Sequence, residues 1–186
     1  MSRPILSVAF LIFSPAVNAD EERIPYPIVV SGQDGTCYVK SVPFHISGTS
    51  GITRVYRVDA EEDELKGTYD WYSFGIYPWC YSQGSSVAIV RVDSWSLGRE
   101  AQREHSAISF FVDGELLKQY PTLDIAIEPE NVVASVSHYR VFRQVEGVVK
   151  DGSGRVYFSV ITIDGREMRF EIGTGNIRDI GVGADG

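Results

Sequence analysis

The sequence predicts an all-β fold, mainly antiparallel, of about eight to ten strands with at most one or two short helices. Three observations predict it. No stretch keeps its apolar residues at helical spacing for long. Short runs rich in Val, Ile, Tyr and Phe recur instead, several with apolar and polar residues alternating. Asp-Gly pairs, the chemistry of tight turns, stand at 34–35, 113–114, 151–152 and 164–165. A sandwich, a barrel or a strongly curved sheet all satisfy these signals.

The chain opens with a short positive start, Met1-Ser2-Arg3, followed by an almost wholly apolar run from Pro4 to Phe13. Val17 and Ala19 then fill the −3 and −1 positions of a small-residue cleavage site. This is the layout of a cleaved secretory signal peptide over residues 1–19. The apolar run is shorter than the roughly 20 residues that span a bilayer, and no later stretch approaches that length. The mature part, residues 20–186, is therefore expected to be a single β domain without a stable membrane anchor, in the periplasm or secreted.

After a charged, proline-bearing lead-in over 20–27, Asp34-Gly35 introduces an alternating strand through Cys37, Val39 and Ser41. A Gly/Ser/Thr loop over 45–51 precedes the strand "ITRVYRV" at 52–58. The acidic stretch 59–67 reads as a solvated connection, and strands are expected at 69–77 and 87–93. Residues 94–106 form a long charged excursion. "AISFFVDGELLKQY" at 107–120 reads as a hairpin about Asp113-Gly114, and 121–129 could hold a short helix. His138 and Tyr139 sit in a further strand. The last hairpin, 155–172, turns at Asp164-Gly165. Counting outward from a two-residue turn sets Ile161 opposite Met168, Ser159 opposite Phe170 and Tyr157 opposite Ile172, as the apolar face.

The two cysteines, Cys37 and Cys80, both fall in the mature part. An isolated pair in an oxidising compartment is expected to form a disulfide. With no C-x-x-C and no histidine cluster, a metal or redox pair is not expected, and no cofactor is implied. The net charge of −8, which loss of Arg3 makes more negative, repels phosphate backbones, and no basic stripe exists to bind nucleic acid.

Two phrases, "FFVDGELLKQY" and "FEIGTGNIRD", resemble strands of β-propeller blades. The four Asp-Gly turns carry no regular period, so the resemblance is local. Beyond it, the chain is similar to small exported bacterial proteins of no assigned function, a similarity that implies no catalytic residues.

Candidate binding residues come from two places. The segment 69–83 holds seven aromatic residues in fifteen positions. Its tyrosines and tryptophans offer flat apolar bodies with polar tips, suited to a glycan or a protein partner, and equally able to pack around a Cys37–Cys80 bridge. Trp71, Tyr72, Tyr77 and Trp79 are the candidates there. Trp95 and His105 are the candidates in the excursion. There, His105 with Asp93 or Glu104 would be the members of a hydrolytic site, although no G-x-S-x-G or H-E-x-x-H occurs. The sequence thus favours an exported, soluble, non-enzymatic binding or interaction domain. The alternatives are an exported hydrolase acting on glycans or peptides and an assembly factor of an envelope complex.

Overall fold

The computed structural model describes residues 24–45, 49–82, 84–93 and 96–182. The leader assigned to residues 1–19 lies outside them, as does Trp95. The described chain is mainly antiparallel β, with fifteen strands and one short helix. The first sheet runs in chain order through β1 (Ile28–Ser31), β2 (Cys37–Pro43), β3 (Gly51–Arg57) and β4 (Glu64–Tyr69). The second follows with β5 (Ile76–Cys80), β6 (Val87–Val92), β8 (Ser106–Val112) and β9 (Glu115–Pro121). The third holds β12 (Phe142–Lys150), β13 (Val156–Thr162), β14 (Arg166–Glu171) and β15 (Ile177–Val182). A small sheet joins β7 (Ser96–Leu97), β11 (His138–Arg140) and β10 (Val133–Ala134), and helix α1 spans Thr122–Ala126. None of these sheets closes on itself. Three strands of only two or three residues account for part of the excess over the expected count.

The second sheet is the middle layer of a stack. On β6, Val87 and Ile89 join Phe111 of β8 against Cys37, Val39 and Val55 of the first sheet. Their chain neighbours Ala88, Val90 and Val92 join Ile108 and Phe110 against Phe158, Val160, Met168 and Phe170 of the third. A strand buried on both faces reads as a continuous apolar run, which is why β6 contains "VAIV" and β8 contains "ISFFV". Phe110, Phe158 and Phe170 are completely buried, and each contributes about 1.5–3 kcal/mol of hydrophobic stabilisation. Phe110 and Phe170 meet with ring centroids 5.3 Å apart.

The disulfide is present. Cys37 and Cys80, at the start of β2 and the end of β5, are bonded with their Cα atoms 5.8 Å apart, fastening the first sheet to the second. The Asp113-Gly114 hairpin also forms as expected. Val112 pairs Glu115, and both turn residues have positive φ (46° and 95°), the type I′ geometry that matches strand twist.

Four elements differ from expectation. The last hairpin is one residue out of the expected register. Phe158 faces Phe170, Val160 faces Met168, and Tyr157 faces Glu171. The loop has three residues, 163–165, with Gly165 left-handed at φ 84°. This places Phe158, Val160, Met168 and Phe170 together in the core, a better apolar face than the two-residue turn provides. Residues 70–75 are irregular, and the strand expected at 69–77 begins only at Ile76. The acidic stretch is exposed as a connection only to Asp63, after which Glu64 opens β4. The charged excursion contributes a strand of its own, β7.

Candidate functional site

The aromatic segment is divided by its irregular middle. Tyr69 and Trp71 belong to the seam between the first and second sheets, where Trp71 lies 5.1 Å from Tyr69 and 5.6 Å from Phe111, centroid to centroid. Arg91 covers Trp71, with its Cζ 4.9 Å from the ring, while pairing with Asp93 at 2.6 Å. A chain of hydroxyls fixes the segment. Thr53 Oγ1 donates to the Trp71 carbonyl at 2.7 Å, so the Ser41 hydroxyl must donate to Thr53, and Ser41 in turn accepts from the Ser73 N–H. Tyr72 is buried and donates to the Tyr26 carbonyl at 2.9 Å. These contacts bury Tyr72 and leave Trp71 half-buried.

Tyr77, Trp79 and Tyr81 turn to the other seam, against the third sheet. Tyr77 packs edge-on to Phe158 at 5.0 Å. Trp79 and Tyr81 instead reach the rim of a groove of about 920 Å³ that runs over the end of the third sheet. Tyr157, Arg169 and Glu171 line it with Val156 and Ile172, whose chain-neighbour relation means that the groove wraps the end of β13 and β14. Asp151 and Arg155 come from the β12–β13 turn, and Arg178 from β15.

Local structure explains each placement. The β13–β14 pairing sets Tyr157 opposite Glu171, although they lie at the two ends of a hairpin. In β15 the partners step from Ile177 to Asp179, so Arg178 is the extra residue of a bulge, a device that re-aims a side chain. It reaches Glu171 at 2.8 Å. Asp151 closes its turn by accepting from the Ser153 N–H, the Ser153 hydroxyl, the Arg155 N–H and Arg155 Nε, at 2.6 to 3.1 Å. These bonds, led by the Ser153 hydroxyl, hold its pKa down to about 2. Glu171 is lowered too, first by the Thr174 hydroxyl and then by Arg178. Burial pushes the Tyr81 phenol up, helped by the nearby Glu171 charge, so it stays a neutral donor.

Of the excursion's two candidates, Trp95 lies outside the described residues and His105 is placed elsewhere. His105 Nδ1 lies 2.8 Å from Tyr139 Oη, which lies 2.8 Å from Thr122 Oγ1. Thr122 spends its proton on the Gln102 carbonyl, so Tyr139 donates to Thr122 and His105 must donate from Nδ1 to Tyr139. The network clamps the excursion onto α1 and the small sheet. Asp93 is committed to Arg91, so the structure does not assemble His105 and Asp93 as a catalytic pair. Among the described residues no group of three or more metal-ligating side chains stands together, and no helix is long and apolar enough to cross a membrane.

Among the described residues, Trp79 is the one candidate named from the sequence that lines the groove. Tyr81, Asp151, Arg155, Tyr157, Arg169, Glu171 and Arg178 were not singled out as binding residues. A signal for them existed in the stretch 155–178, where four arginines of an acidic chain cluster, three of them in the groove. No protein-family model, no curated protein and no solved structure matches the chain.

Proposed function

We propose that this chain is an exported, disulfide-stapled binding domain whose ligand occupies the groove at the end of the third sheet. The observation that carries the reading is the groove's lining: Trp79, Tyr81 and Tyr157 stand with three arginines in one concavity. Aromatic bodies with polar tips beside fixed charged groups are how a site binds and orients a polar ligand. The leader-like N-terminus and the Cys37–Cys80 bridge both accord with an oxidising compartment.

The hydrolase alternative would draw on Asp151 and Glu171, the two carboxylates beside Trp79. Glycoside cleavage needs one carboxyl kept protonated as the acid, with a raised pKa. Both are instead lowered by hydrogen bonds and arginines. This favours a site that holds its ligand over one that cleaves it.

The test is an NMR titration of the oxidised protein against a panel of oligosaccharides and peptides. A ligand should shift the resonances of Trp79, Tyr81 and Tyr157 together, and Trp79→Ala should lose that response while still melting cooperatively. Ligands that perturb only other surfaces, or a panel that leaves these three residues unmoved, would refute the proposal.

A further inference from the structure

We infer that the groove takes a carboxylate-bearing saccharide, which lays a sugar face on the rings and gives its carboxylate to Arg155 and Arg178; this rests on the binding reading above. The argument concerns hydrogen-bonding capacity that the fold leaves open. Of the groove's own carboxylates, Asp151 is filled and Glu171 is half used. Asp151 accepts four bonds within its turn. Glu171 Oε2 accepts from Thr174 Oγ1 and Arg178 Nη2. The guanidinium groups are not used up. Among the described residues, Arg155 donates only from Nε and Arg178 only from Nη2, leaving each with two further N–H-bearing nitrogens.

Both side chains are open to solvent, at 73% and 56% exposure, within the lining of the same cavity. Spare guanidinium donors match a carboxylate in geometry and charge. Two further contacts reinforce the bias. Lys150 brings its ammonium to 5.6 Å from the Trp79 ring, and Arg155 stands 6.0 Å from the Tyr157 ring. In a chain of net charge −8, this groove has donors and positive charge to spare.

The apolar part of the lining points to a sugar. It is made by the rings of Trp79, Tyr81 and Tyr157 together with Val156 and Ile172. Ring faces suit the C–H face of a pyranose, whose hydroxyls reach the polar tips around them. Aromatic-lined grooves also take extended peptides, so a peptide is one arm of the test.

Calorimetric titration of the oxidised protein with tetragalacturonate, the neutral maltotetraose and a tetraglutamate peptide tests this. Tetragalacturonate should bind, and more weakly as salt rises. The exposed double variant R155Q/R178Q should keep its melting temperature and lose at least about tenfold in affinity, since charge-assisted bonds are being removed. Equal affinity for maltotetraose with R155Q/R178Q unaffected would overturn the inference and leave groove binding intact. Tighter binding of tetraglutamate would overturn the saccharide assignment. Failure of all three to bind would end the inference, while the panel titration decides separately on the binding reading.

Discussion

Replacing both cysteines, Cys37→Ala with Cys80→Ala, should cost about 4 kcal/mol of folding stability. The figure follows from the 43-residue separation the bridge closes: the chain-entropy relation gives about 13 cal/mol/K, or about 4 kcal/mol at room temperature. For a chain of this size that lowers the melting temperature by roughly 8–16 °C. The effect has a local partner that makes the reasoning specific. Gly32, in the β1–β2 turn, sits against the bridge, so a Cβ placed there would run into Cys80 Sγ and come to 3.0 Å from Cys37 Sγ. Gly32→Ala should therefore cost roughly 1–3 kcal/mol in the bridged protein, as overpacking does. In the Cys37→Ala, Cys80→Ala background the obstructing sulfurs are gone and most of that penalty should vanish. Urea unfolding of the four proteins, compared at constant m, gives the coupling directly. A loss below about 1.5 kcal/mol for the double replacement, or an equal cost of Gly32→Ala in both backgrounds, would refute the reasoning.

Two further outcomes follow from named groups. Asp113→Ala should destabilise by about 1–3 kcal/mol by urea unfolding, because it strands the Val87 N–H that Asp113 accepts at 2.8 Å and puts alanine at positive φ; Asp113→Asn should recover most of the loss, and if it does not, the turn chemistry is misassigned. The folded pKa of Asp151 lies near 2, below its ordinary 3.8, so its stabilisation is fully present above the unfolded value and is lost as pH falls through the folded one. The stability gap between wild type and Asp151→Asn should therefore narrow as pH falls from about 5 to 2, and a gap that stays constant across that window would contradict the assignment.

Much of the fold was legible because local chemistry decided it. Asp113-Gly114 dictates a two-residue turn, and the cysteine pair had only one possible bridge. The Asp164-Gly165 turn misled because the same dipeptide also fits a three-residue loop with its glycine left-handed. The choice between them is made by which core face results, and that depends on Phe110 of another sheet. The aromatic segment, expected to hold a strand over 69–77, divides instead. Counting along an unbroken strand puts Tyr69, Trp71, Tyr77, Trp79 and Tyr81 on one face, but the six irregular residues between Tyr69 and Ile76 send the first two to one seam and the last three to the other. The groove was hidden for a different reason. Its charges come from a turn, two ends of a hairpin and a bulge, and no pattern within one strand brings Arg155, Glu171 and Arg178 together.

The layering also explains why the groove lies where it does. A sheet covered on both faces has no wet surface of its own, so anything it shows to solvent must be shown at a strand end or an edge. β5 is an edge strand of that middle sheet, and its Cys80 end is pinned by the bridge to β2. The residues about that end, Trp79 and Tyr81, are thus rigidly held yet beyond full coverage by either neighbour. The third sheet ends beside them, where the β12–β13 turn and the β15 bulge aim arginines toward the same space. Rings from the middle layer and cations from the outer layer meet there because it is the place where the stack stops covering itself.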